Sequence, residues 1–161
     1  MAEVSSLEAA KVAANTKLRN DEALGRLHTV SISTPLAAAA TAWAQNDTIA
    51  SPVDLPVGTR FVDCWVHHEA MGTSVTMDIG IRAALSVDAA QTVIDVDGIA
   101  DGLNVAAAGQ THGINGVFIN VSATQAIYRT TQVSNIYASL LSADPDDGQV
   151  FRIDVTVALL G

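Results

Sequence analysis

Cys64, His67, His68 and Glu69 stand close together and carry side chains that commonly ligate metal ions. Neighbouring histidines in an extended segment point to opposite faces, so His67 and His68 cannot share one ion without distortion. His28 and His112 sit in no ligand spacing with them. The histidines are therefore expected to be structural or surface residues, with no metal site. Cys64 alternates with Val62 and Val66, the pattern of a small buried hydrophobe rather than a nucleophile. It is the single cysteine, so no intramolecular disulfide can form.

Two acidic runs offer oxygen ligands: Asp95, Asp97 and Asp101, and Asp144, Asp146 and Asp147. Neither ends in the bidentate Glu of an EF-hand loop, and Asp-Gly and Asp-Pro are ordinary turn chemistry. They are the feature that would support a calcium-dependent carbohydrate-binding module. Paired carboxylates also serve glycosidases, but sugar chemistry needs a cleft with aromatic platforms, and the chain has two Trp and two Tyr. No Gly-x-Ser-x-Gly elbow, Walker loop or Gly-x-Gly-x-x-Gly is present. The expectation is a protein that is not an enzyme, with no catalytic residues and no cofactor.

The elements that would carry these residues fall into two parts. Residues 1–27 are expected to form a helical arm. Ser5 and Glu8 have capping-box spacing, and Val4, Leu7, Ala10, Ala14 and Leu18 recur at helical spacing. The apolar stripe is mostly alanine, and an isolated helix of this length is marginal in water, so the arm needs a surface to lie on. Residues 28–161 change to period two. Val30 and Ile32 alternate with serines. Val75, Met77, Ile79 and Ile81 share one face of 75–82, and Phe151, Ile153, Val155, Val157 and Leu159 share one face of 150–159. Shorter candidate strands are Val93–Val96, Gly116–Val121, Ala126–Thr131 and Asn135–Leu141. In Thr59–His68, Val62, Cys64 and Val66 are expected on one face, with Phe61 and Trp65 on the other.

Turn signals punctuate the strands at Leu55–Gly58, Ala70–Gly72, Asp97-Gly98, Asp101-Gly102, Asn115-Gly116 and Asp144–Gly148. Residues 83–113 are the least regular and are expected to contribute long loops. Many short strands without a second helical pattern predict a mainly β protein, an antiparallel β-sandwich or jelly roll with an N-terminal helical arm.

Composition bears on partners. The chain has 161 residues, enough for one domain with a sizeable core. Charged residues make up only 16%, whereas a well-solvated surface holds about a quarter to a third. Part of the outside is expected to be covered by something else. Net charge is −9, and all of it lies after residue 27, where four arginines face 13 acids. An acidic body repels a phosphate backbone, which argues against direct nucleic-acid binding. No charged leader with an apolar stretch opens the sequence and no run of about 18 apolar residues occurs, so a cytoplasmic product without a membrane span is expected.

Within Asp54–Ile81, a Leu55-Pro56-Val57-Gly58 turn leads into an apolar strand. A Gly72-Thr73-Ser74 turn follows, then a strand ending Asp78-Ile79-Gly80. This pattern resembles a group of small tailed-bacteriophage virion proteins, described as head, decoration or cement proteins. The stretch Ala38–Ala50, with Trp43, is similar to a strand feeding that turn. The resemblance implies a capsid decoration or cement protein that stabilises the head by bridging subunits of the major capsid protein, located on the virion and made in the host cytoplasm. It also implies self-association, as a homotrimer or as an assembly that depends on the shell. A tail or head-fibre-base protein is the alternative within the same class.

Overall fold

The structure is a computed structural model, and it describes residues 27–34, 44–113, 129–146 and 148–159. Among these described residues eight strands follow in order: β1 Leu27–Ser33, β2 Thr48–Ala50, β3 Arg60–His68, β4 Thr76–Ala83, β5 Val93–Asn104, β6 Gly109–His112, β7 Ser134–Leu141 and β8 Phe151–Ala158. They build two four-stranded antiparallel sheets, β1-β8-β3-β6 and β2-β7-β4-β5. First pairs with last, second with seventh, third with sixth and fourth with fifth. That winding is the strand order of a jelly roll.

The period-two pattern decides which faces meet. Val30 and Ile32 of β1, and Ile153, Val155 and Val157 of β8, are buried together with Met77, Ile79 and Ile81 of β4 and Ile136, Ala138 and Leu140 of β7. Each fully buried aliphatic side chain contributes about 1.5–3 kcal/mol relative to exposure. The opposite residues, such as Ser31, Arg152 and Thr156, remain exposed or half-buried. β1 begins at Leu27, paired with Ala158. The rest of the expected N-terminal helix, the Gly116–Val121 strand, the Asn115-Gly116 turn and residues 126–128 of the expected 126–131 strand lie outside the described residues.

In β3, Phe61 joins Cys64 and Val66 in the core, while Val62 is only half-buried. The expected pairing of Val62 with Cys64 is thus wrong, because the register with β8 shifts between Phe61 and Asp63. A bulge inserts one residue and turns the preceding side chains to the other face. Trp65 does lie on the outer face and is 40% exposed.

Residues 83–113 contain β5, the longest strand, and β6, rather than long loops. The alternation was hidden because β5 changes register against β4 three times. Both Asp-Gly pairs lie within this strand. Ile79 pairs with Ala100 and Met77 with Leu103, so Asp101 and Gly102 together face Asp78. Gly102 adopts φ +59° and its N–H donates to Asp78 Oδ1 at 2.8 Å, a conformation that favours glycine. Further along, Ile81 pairs with Asp95, so residues 96–99 all lie opposite Gly80. This excursion folds over the outer face of β4, where Gly80 is buried and Tyr137 is its partner on β7.

The excursion concentrates negative charge. Burial pushes the Asp78 carboxyl above its ordinary value, and the charges of Asp101 and Asp97 add to the rise against the opposing Gly102 amide. With the folded pKa raised, ionised Asp78 costs stability at neutral pH, and that cost disappears as pH falls through the folded value. Asp78→Asn keeps an acceptor for Gly102 and removes the charge. It is expected to raise the melting temperature at neutral pH, with the gain fading in acid, where wild-type Asp78 is itself protonated. Thermal melts across pH measure this; an unchanged midpoint at neutral pH would contradict it.

Candidate functional site

The outer face of the β1-β8-β3-β6 sheet carries an aromatic and charged cluster at its centre. Trp65 and Asp63 are two apart on β3, so both point outward, and His112 is brought beside Trp65 by β3–β6 pairing. The indole and imidazole rings lie 4.6 Å apart, tilted by 34°. The Trp65 indole N–H donates to Asp63 Oδ2 at 3.0 Å, and His112 Nε2 lies 2.6 Å from Asp63 Oδ1. Burial works to raise the Asp63 carboxyl, but the bonds from His112, Trp65 and the Cys64 amide outweigh it and hold the group below its ordinary value. One carboxylate thus fixes both rings.

A second cluster continues across the same face. Ser31 on β1 donates to Asp154 Oδ1 at 2.5 Å, and the Arg152 Nε–H donates to the same oxygen at 2.9 Å. His67 Nε2 stands 3.8 Å from Asp154 Oδ2. Burial raises the Asp154 carboxyl, yet Ser31, Arg152 and His67 together keep it low. The result is a sheet face with an exposed tryptophan at its centre and arginine, histidines and two held carboxylates around it. Aromatic residues and Arg are the types enriched at the centres of protein–protein interfaces.

The metal-type residues are not assembled into one set. His68 points inward and is 8% exposed, with Nδ1 3.0 Å from the Glu69 carbonyl and Nε2 3.0 Å from Thr111 Oγ1. His67 points outward, and Glu69 accepts the Val150 N–H. Cys64 is fully buried, and burial pushes its thiol up to about 12, so it behaves as a packing group. His28 lies on β1 and His112 on β6, the two edges of one sheet. Among the described residues no group of three or more His, Cys, Asp or Glu is placed to hold a metal ion. Asp144 accepts the Gln45 N–H at 2.8 Å, and the Asp146 N–H donates to the Met71 carbonyl at 2.8 Å. Asp147 lies outside the described residues. The acids after β7 therefore tie loops together. Those of β5 flank its register shifts.

Alternation placed Trp65 on the outer face in the sequence, but Asp63, two residues before it, was not singled out. Nor was the third member of the cluster, because β6 has no apolar alternation: Gly109–His112 contains no aliphatic residue.

No protein-family model matches the sequence, and no curated protein matches it. Solved structures do. A chain in the capsid of Ralstonia phage GP4 aligns with a TM-score of 0.61 at 15% identity, over 85% of this chain and 86% of that one. A chain of the cyanophage Pam1 capsid asymmetric unit aligns at 0.48 and 13% identity, over 83% of this chain and 84% of that one. A chain of the acidic stable capsid of Helicobacter pylori bacteriophage KHP30 aligns at 0.44 and 14% identity, over 83% and 87%. At such identities the GP4 likeness is one of fold.

Proposed function

We propose that this chain is a non-enzymatic structural protein of a bacteriophage virion, and more specifically a capsid decoration or cement protein. It would bridge subunits of the major capsid protein on the capsid surface, as a homotrimer. The observation that carries this reading is the fold shared with a chain of the Ralstonia phage GP4 capsid along most of both chains. The low charge content and the exposed Trp65 support it.

The mechanism is stabilisation by mass action: a protein that binds the assembled shell and not its separated subunits shifts the equilibrium toward the shell. The face carrying Trp65, His112, His67 and Arg152 is assigned to the shell, because its aromatic centre and polar surround match interface anatomy. Residues 1–27, which hold both lysines of the sequence, are assigned to an arm that docks on the shell or on a neighbouring copy.

The test is decoration of shells assembled without this protein. Full-length chain should bind and raise the temperature at which the shells disrupt. A chain lacking residues 1–26, the segment ahead of β1, should remain folded by circular dichroism and decorate at clearly lower occupancy. Unchanged occupancy would remove the arm from the mechanism, and failure of the full-length chain to bind any shell would remove the decoration role.

A further inference from the structure

The hairpin joining β4 to β5 carries an apolar patch that is exposed among the described residues. Val93, Ile94 and Val96 on β5 are 47%, 36% and 52% exposed, and Leu85 and Val87 in the preceding loop are 64% and 56% exposed. The loop is folded back on itself: the Ala83 N–H donates to the Thr92 carbonyl, and Asp88 accepts the N–H groups of Ala90 and Thr92. Among the described strands β5 is the end strand of its sheet, so the patch adjoins an edge of the kind that soluble proteins ordinarily protect. Asp54, Asp88, Asp95 and Asp97 lie on the same hairpin or bonded to it, with Ser86 donating to Asp54. Arg82 is the one basic residue among them. The occupant must therefore be apolar and basic.

The chain itself contains such a segment. Residues 9–20 hold Lys11, Lys17 and Arg19 and no acid, together with Val12, Leu18 and four alanines. They are the one concentrated basic stretch in a chain of net charge −9. A homotypic pairing of two β5 edges would instead bring Asp95 and Asp97 of each copy toward each other, which like-charge repulsion opposes.

We propose that residues 9–20 of one copy dock on the Leu85–Val96 hairpin of a neighbouring copy, covering its apolar patch and pairing Lys11, Lys17 and Arg19 with Asp88, Asp95 and Asp97. The neighbouring copy is the fitting recipient because β1, which continues from this segment, is the edge of its sheet away from β6, whereas β5 runs on the β6 side, with Ala100 beside Gly113. The inference rests on the arm reading above and names the surface it uses.

Lys11 and Lys17 are the only lysines, which makes carbodiimide coupling of amines to carboxylates decisive. An equal mixture of unlabelled and nitrogen-15-labelled full-length protein is associated, coupled and digested. Expected are peptides joining Lys11 or Lys17 to Asp88, Asp95 or Asp97, half of them with one labelled and one unlabelled partner. Unmixed pairs alone would place the segment on its own chain and overturn the proposal. Coupling only to other acids would overturn it too, as would a wild-type chain that stays monomeric. In parallel, the triple variant K11E/K17E/R19E should self-associate about tenfold or more weakly while its melting temperature stays unchanged. Association equal to wild type would count against the proposal. Shell decoration distinguishes the two readings: truncation that loses shell binding, without these cross-links in solution, leaves the arm standing and removes this surface.

Discussion

Trp65→Ala is expected to weaken binding to capsid shells by about thirtyfold or more, the effect of losing one interface hot spot of about 2 kcal/mol. The indole is held ready on both sides, by its N–H bond to Asp63 and by the His112 ring 4.6 Å away. A partner that covers it meets a side chain with little rotamer freedom left to lose. Trp65 lies outside the core, so the variant should fold normally and lose only the ring contact and one exposed hydrogen bond, a cost of about 1 kcal/mol. Trp65→Phe keeps an aromatic ring against His112 and loses the N–H, so its binding should fall between the two. Quantitative decoration of empty shells, with thermal melts of the free proteins, measures both effects. Equal affinities for wild type and the alanine variant would remove the Trp65 face from the shell contact.

Much of this architecture is written in alternation, and the places where it is not have a common physical cause. β1 and β8 bury one face and leave the other exposed or half-buried, and β4 keeps alternating aliphatics on its core face although its outer face is covered too, so Val30 and Ile32, Met77 to Ile81, and Phe151 to Val157 declare their core face by period alone. β7 is buried on both faces for five residues, Ser134–Ala138, yet its apolar run still marks a strand. Bulges defeat this reasoning. One extra residue at Phe61–Asp63 sends Phe61 inward against its expected face. The irregular pairing along β5 makes its strand resemble a series of turns. Asp97-Gly98 and Asp101-Gly102 are chemically correct for sharp local conformations, but those conformations sit inside a strand. Local chemistry cannot distinguish a bulge from a turn, since the difference lies in where the chain goes afterwards. The same limit hid His112 from the Trp65 cluster: β6 becomes a strand only through pairing with β3.

Gly80→Ala is expected to be the most damaging single-methyl change in the protein. Gly80 sits between Ile79 and Ile81, whose side chains enter the core, so any Cβ at position 80 points to the outer face. There it would overlap the backbone carbonyl oxygens of Asp95 and Val96. The obstruction is main chain, which cannot swing aside as a side-chain tip can. Relief requires the 95–99 excursion to lift away. That would expose the nearby Tyr137 ring, now 4% exposed, and disturb Ile99, which is fully buried. Overpacking of this kind costs about 3 kcal/mol or more, a fall of roughly 6–12 °C in melting temperature for a domain of this size. Gly109→Ala is the matched control, because a Cβ there meets nothing within 4 Å; its stability should stay within about 0.5 kcal/mol of wild type. The lifted excursion should also change the adjoining Val93–Val96 edge, so Gly80→Ala should bind an apolar dye more strongly than Gly109→Ala does. A Gly80→Ala protein as stable as the control would mean that β5 does not fold back over β4, and the apolar hairpin patch would lose its structural basis with it.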